Sequence, residues 1–325
     1  MIEKLKMFYR GKRVLVTGGS GLIGSAFLSL LVGLDTSVRT VMHKRDVPNS
    51  DGVDILPGSL LDRNTALNAC RGMDMVIHAA GVSGGSKQVT VDPIPMFSDS
   101  LLMNTMVLES ARIQDVDRYL FISNSSVYAK SDSLLNESDA WGETSRGIPE
   151  NETGSVKRIG ETQCALYARH TNMKIGIMRT GNAYGPNDNF DLESSHVLPA
   201  LMRKAVEKQD PFCVWGDGST LRDFIHTEDI ARAGLFLLAN YAVAQPVNVA
   251  TGKTYRIQEV VEMICDIAGL HRNSIKYQNN APPASPAKRL DISRMIDLGL
   301  KPQISLRDGL SQTISWYRKQ RGGQS

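Results

Sequence analysis

Short apolar runs rich in β-branched residues alternate with amphipathic stretches through the first half of the chain. Arg13–Gly18, Val38–Met42, Met75–Ala80 and Tyr119–Ser123 read as buried strands, and helical patterns follow Gly21, run from near Asp62 to Arg71, and start again at about Ser98. Continuously apolar strands belong to parallel sheets covered on both faces, and strand–helix alternation marks βαβ units. The expectation is an α/β fold with a doubly wound parallel sheet. Past Met178 the pattern loosens into segments rich in glycine, proline and asparagine, Gly181–Phe190 and Ala281–Pro286 among them, which read as pocket walls rather than linkers. Val247–Thr251 again looks like a buried strand, so the chain is expected to return to the first sheet before finishing in a smaller, interleaved C-terminal lobe. The boundaries that follow are 1–180 with about 224–250 for the sheet domain, and 181–223 with 251–325 for the substrate lobe.

With 325 residues, 42% of them hydrophobic, the chain can bury a large core. Its 37 basic and 34 acidic side chains leave a net charge of +3, too balanced to imply nucleic-acid or membrane-surface binding, so any anionic ligand must meet a local basic cluster. Cys70, Cys164, Cys213 and Cys265 are far apart, with no metal-ligand spacing, and read as buried free thiols; no metal site is expected. The first residues carry charges throughout and no apolar signal core, and no uncharged apolar run reaches the roughly 20 residues needed to cross a bilayer. A cytoplasmic protein is expected.

Thr17-Gly18-Gly19-Ser20-Gly21-Leu22-Ile23-Gly24 lies directly after the first strand and directly before a helical pattern. In that context Gly18 allows a tight turn, Gly21 lets backbone approach a pyrophosphate, and Gly24 allows close helix packing, while the helix start at Ser20, Leu22 and Ile23 supplies amide donors and a favourable dipole. This is a dinucleotide-binding Rossmann signature. The second strand ends at His43-Lys44-Arg45. A positive cluster there suits the 2′-phosphate of NADP, whereas NAD needs an acidic residue on the ribose. A solvated charge run is the alternative, and Asp46 keeps NAD open if the strand ends later.

Further runs carry a resemblance over nearly the whole chain: His78–Gly85, Asn104–Ala111, Leu120–Tyr128, Gly181–Phe190, Ser194–Lys204, Val214–Ala231 and Val247–Lys253. Together with the glycine motif they resemble the extended short-chain dehydrogenase/reductases that act on nucleotide sugars. Within that group Tyr184–Lys204 and Val214–Asp229 are similar to the GDP-L-fucose synthases. The resemblance implies reduction of a 4-keto-6-deoxy sugar by NADPH after epimerisation at C3 and C5. It also implies a homodimer through the helices near Ser98 and Lys157, and cofactor contacts at Ala79 and Ala80.

The group's hydride chemistry uses a Tyr-x-x-x-Lys pair on one helical face, the tyrosine as acid/base and the lysine lowering its pKa and holding the ribose. Lys157 matches the lysine, and Thr153 stands at the tyrosine position. A threonine hydroxyl is far less acidic than a phenol and does not share a proton at neutral pH in the same way. The serine that polarises the sugar oxygen falls on Asn124, whose amide can still donate. The epimerase cysteine falls on Ser126, a poorer base than a thiolate, and its partner acid is retained as His196. A rebuilt relay could run from Thr153 through water, or from Tyr128 or Ser125. The alternatives to an altered enzyme are an ordinary reductase/epimerase that tolerates the changes, and a binding protein with little chemistry.

On the substrate side, the resemblance places Arg222 and Lys204 or Arg203 on the nucleotide diphosphate and Trp215 at the base edge, with Asn182 in the sugar loop. For Arg203 and Lys204 surface pairing is an open alternative. Lys288 and Arg289 form a second candidate pair for phosphate or sugar. His78 and Asn104 read as scaffold.

Overall fold

The computed structural model of the chain describes residues 2–48, 50–82, 93–131, 133–141, 152–278 and 288–322. In chain order the strands are β1 (Arg13–Thr17), β2 (Ser37–Met42), β3 (Val53–Pro57), β4 (Met75–His78), β5 (Arg118–Asn124), β6 (Leu134–Leu135), β7 (Lys174–Thr180), β8 (Asn182–Tyr184), β9 (Phe212–Trp215), β10 (Leu221–Arg222), β11 (Phe224–His226), β12 (Val243–Val249), β13 (Tyr255–Arg256), β14 (Ile275–Gln278) and β15 (Arg289–Leu290). The α-helices are α1 (Ile2–Tyr9), α2 (Leu22–Val32), α3 (Arg63–Cys70), α4 (Pro93–Ile113), α5 (Glu152–His170), α6 (Val197–Val206), α7 (Thr227–Asn240), α8 (Ile257–Ala268), α9 (Ser293–Asp297) and α10 (Leu306–Gly322).

β12, β7, β5, β4, β1, β2 and β3 lie side by side in that order, all parallel. Every residue of β4 is buried and so is all of β1 after Arg13, as a sheet covered on both faces requires. The helices α1, α2, α7 and α9 build one layer and α3, α4 and α5 the other. Gly234 of α7 lets that helix lie against the Phe27 ring of α2, where a Cβ would collide, so α2 is apolar on both its sheet and helix sides. A separate core joins α6, α8 and α10 to β9.

The predicted return of the chain occurs: β12 pairs with β7, Val249 opposite Thr180. The helix expected near Asp62 is α3, with Asp62 as N-cap accepting from Thr65 N at 2.7 Å. The helix expected from about Ser98 starts earlier, at Pro93, because Pro93 and Pro95 sit in the first turn, where no amide hydrogen is required. The paired strands β9–β14 and β10–β13 of the lobe are too short to carry a readable alternation. Cys70, Cys164 and Cys265 are buried free thiols, while Cys213 is only partly covered. Among the described residues no helix is long and apolar enough to cross a membrane. The loop read at Ala281–Pro286 lies outside the described residues.

Candidate active site

The strand order reverses between β1 and β4, which opens a crevice at their C-terminal ends. β1 runs into Gly18, whose φ of +72° only glycine adopts freely, and a Cβ there would lie 2.8 Å from the Ala80 backbone. The turn therefore presses on Ala79 and Ala80. A Cβ on Gly24 would collide with the Gly18 carbonyl, so the first turn of α2 rests on the same loop. Gly21 meets only Gly18 O, at 3.3 Å, and leaves its other side open. As N-cap of α2 it offers no side chain to the first-turn amides after Ser20, those of Leu22 and Ile23 among them. Open space in front of unsatisfied amides fits the pyrophosphate of a dinucleotide. Gly19, not singled out from the sequence, packs on Thr40, where a Cβ would clash.

Thr17, His78 and Asn104 stitch this crevice together. Ala80 N donates to Thr17 Oγ1 at 3.1 Å, Thr17 Oγ1 lies 2.8 Å from His78 Nδ1, and His78 Nε2 lies 2.9 Å from Asn104 Oδ1. Facing a carbonyl oxygen, Nε2 carries the proton. Burial pulls the His78 pKa down to about 4, so the ring is a neutral link between β1, β4 and α4.

His43, Lys44 and Arg45 follow β2 directly and are all exposed. From the far side the loop after β8 reaches over α2: Asn187 Nδ2 donates to Ser25 Oγ at 3.2 Å. Beside it Asp188, near Arg45, is pushed up to about 7 by burial, and its Oδ2 has no partner among the described residues. Sequence reasoning missed Asp188 because the Gly-Pro-Asn-Asp run carries only a turn signal.

At the end of β5 the chain enters a 3-10 turn, Ser125–Val127, capped by Asn124. Asn124 Oδ1 accepts from Ser126 N at 3.0 Å and from the Ser126 hydroxyl. Above the turn, Thr153, Lys157 and Glu161 share one face of α5 at four-residue spacing. The Thr153 hydroxyl donates to Met96 Sδ on α4 at 3.8 Å. Lys157 Nζ donates to Ile122 O at 2.7 Å and stands 5.1 Å from the centre of the Phe121 ring. Burial pulls its pKa down to about 8. Glu161 holds Arg179 with two bonds, at 2.9 and 2.6 Å, and accepts from Ser123 Oγ at 2.6 Å.

Tyr128, considered above as a relay, is scaffold. Its hydroxyl donates to Asn248 Oδ1 at 2.6 Å and accepts from Arg179 Nη1 at 2.9 Å. Burial pushes it up to about 12, and it stays protonated deep under the site. Ser125 keeps an uncommitted hydroxyl among the described residues.

Lys288 Nζ donates to Ser125 O and Tyr128 O, both at 3.0 Å, tying the chain before β15 to this turn. Asn124, Ser125, Ser126, Lys157 and Lys288 thus gather at one end of β5. Asn182, just past the Thr180 that pairs with Asn124, donates to Asp223 O at 2.8 Å. In the lobe Lys204 Nζ donates to Cys213 O at 2.9 Å, two residues before the exposed Trp215. Arg203 is spent on Glu207 and Phe190 O. Arg222 lies on β10 opposite Tyr255, and Arg289 is exposed on β15. His196 is the N-cap of α6 and is exposed on one side, while desolvation by the protein around the rest of the ring lowers the imidazole pKa.

Residues 14–250 match the model of the NAD dependent epimerase/dehydratase family. GDP-L-fucose synthase 1 of Arabidopsis thaliana is 33% identical over 98% of this chain and 96% of its own length. GDP-L-fucose synthase of Escherichia coli is 28% identical over 94% and 96%. Among solved structures, epimerase Mth375 of Methanothermobacter thermautotrophicus superimposes with a TM-score of 0.86 at 23% identity, over 99% of this chain and 96% of that one.

Proposed function

Because the chain belongs to the NAD dependent epimerase/dehydratase family, we propose that it is a nucleotide-sugar epimerase/reductase of the GDP-L-fucose synthase kind with an altered catalytic centre. Its substrate is a GDP-linked keto-deoxyhexose and its dinucleotide is NADP. The observation that carries this reading is the face of α5: the residue in register with Lys157 is Thr153, whose hydroxyl is turned to Met96. No phenol stands there to deliver a proton to the sugar oxygen.

The residues divide the work as follows. Gly18, Gly21 and Gly24 with the amides of α2 hold the pyrophosphate, and Lys44 and Arg45 hold the 2′-phosphate. Arg222, Lys204 and Lys288 neutralise the nucleotide diphosphate, beside Trp215 at the base. Asn124 donates to the C4 oxygen. His196, as the neutral imidazole, removes the proton from the carbon beside the keto group. The electron pair moves into the carbonyl, the enolate oxygen is held by Asn124, and a proton delivered by water to the opposite face restores the ketone with inverted configuration, while the imidazolium gives its proton to the hydroxide left behind. A nicotinamide, when bound, supplies the hydride for reduction at C4. With Thr153 replacing the phenol, proton exchange persists while reduction is slow. Residues 1–180 with 224–250 bind the dinucleotide in this reading, and 181–223 with 251–325 the sugar. A homodimer is part of it: Ile94 and Leu102 of α4 and Ile159 and Leu166 of α5 are exposed apolar side chains on neighbouring helices.

Two outcomes follow. Replacing Lys44 and Arg45 together by alanine should weaken NADP binding about ten- to a hundredfold, from the loss of charge-assisted bonds, and leave NAD binding largely unchanged. Equal losses for both dinucleotides in titrations would contradict the assignment. The lowered imidazole pKa keeps His196 neutral, and so basic, below the ordinary value of about 6.5. The rate of solvent-proton exchange into the sugar should therefore fall on acidification only along a limb centred below 6.5, and that limb should vanish in His196→Asn. A limb centred above 6.5 would contradict the role.

A further inference from the structure

The geometry points to Ser126 as a positioning residue that locks the Asn124 amide as a hydrogen-bond donor. This inference rests on the proposed sugar site and deepens it. A backbone amide only donates, so the Asn124 atom facing Ser126 N at 3.0 Å must be the carbonyl oxygen. The Ser126 hydroxyl donates to the same oxygen. With Oδ1 held from two sides, the amide plane cannot turn, and Nδ2 is the end left without a protein partner among the described residues. The turn that carries Ser126 is itself fixed: Lys288 Nζ bonds Ser125 O and Tyr128 O at 3.0 Å, and Arg158 Nε bonds Val127 O at 2.7 Å. Asn124, at the last position of β5, is half-buried and presents this fixed donor at the strand's C-terminal end.

Two consequences follow for the chemistry. The hydroxyl of Ser126 has its proton committed to Asn124, so Ser126 serves the site through Asn124 and does not act as a base. An amide has no proton to give at neutral pH, so the pair stabilises negative charge on the sugar oxygen without transferring a proton to it. The centre has become a fixed electrophile, and proton traffic is left to His196 and water.

The test is a double-mutant cycle combined with a spectrum of the full-length protein. With 15N-asparagine labelling, the Nδ2H2 pair of Asn124, identified by its loss in Asn124→Ser, should move in Ser126→Ala and stay in place in Ser126→Thr, which keeps the hydroxyl. Ser126→Ala should slow deuterium exchange into GDP-4-keto-6-deoxymannose about ten- to a hundredfold through kcat, as expected for a mispositioned group, with KM little changed. Ser126→Thr should restore the rate, and in the Asn124→Ser background Ser126→Ala should have little further effect. An Asn124 signal indifferent to Ser126→Ala, or an equal rate loss in both backgrounds, overturns the inference. If the signal responds as expected but no GDP-sugar reacts, the lock stands and the substrate reading fails.

Discussion

Glu161→Ala is expected to lower folding stability by about 3–5 kcal/mol, the cost of stranding a buried charge. Arg179 is fully buried, and Glu161 supplies both carboxylate oxygens to its guanidinium. Removing the carboxylate leaves Arg179 Nε and Nη2, both fully buried, without their protein acceptors. The remaining bonds of Arg179, to the Tyr128 hydroxyl and Glu137 O at 2.9 and 2.8 Å, engage Nη1 alone. Glu161→Gln keeps one acceptor and should lose less. The damage should also reach the site, because Glu161 is on the face of α5 that carries Thr153 and Lys157 and sets that helix on β5 and β7. Urea unfolding monitored for the midpoint, with an unchanged slope, is the check. A loss below about 1 kcal/mol would mean that water reaches Arg179 and the pair behaves like a surface bridge.

The second large effect separates two glycines of one motif. Gly24→Ala drives a Cβ into the Gly18 carbonyl, so α2 must lift from the loop, and both stability and dinucleotide binding should fall. Overpacking of this kind costs about 1–3 kcal/mol. Gly21→Ala places its Cβ 3.3 Å from Gly18 O, a tight contact but a far smaller overlap than at Gly24, and should cost less stability than Gly24→Ala. Its new methyl fills the space before the α2 amides, so NADP affinity should drop at least about tenfold, or about 1.4 kcal/mol. Thermal melts and dinucleotide titrations on both variants read the difference. Retained NADP binding in Gly21→Ala would place the pyrophosphate elsewhere.

β1, β4 and β5 were legible because they are buried along most of their length and largely apolar; β3, which has no buried residue, and β7, which opens the loosened second half, were not read as strands. The return of β12 was legible only at its buried end, Val247–Val249. The lobe was not, since β9, β10, β13 and β14 are short pairs whose neighbours are distant in sequence. The glycine motif could be read residue by residue because turn, approach and packing each exclude a Cβ at a fixed place. Tyr128 could not: a tyrosine one turn past β5 looks reactive until Arg179 and Asn248 are seen beneath it, 51 and 120 residues further along the chain. The joint engagement of Asn124 Oδ1 by Ser126 was equally invisible, because only the turn geometry brings both donors to one oxygen. Asp188 carries no spacing signal at all and is noticed only through its burial beside Arg45.

In the proposed function Thr153 separates proton exchange from reduction. Incubating the protein with GDP-4-keto-6-deoxymannose and NADPH in deuterated water measures both at once, as deuterium in the recovered sugar and as nicotinamide absorbance. The expected result is deuterium incorporation well in excess of NADPH consumption, with Thr153→Tyr raising NADPH consumption toward the exchange rate. No exchange, or NADPH consumed in step with exchange and unaffected by Thr153→Tyr, would contradict it.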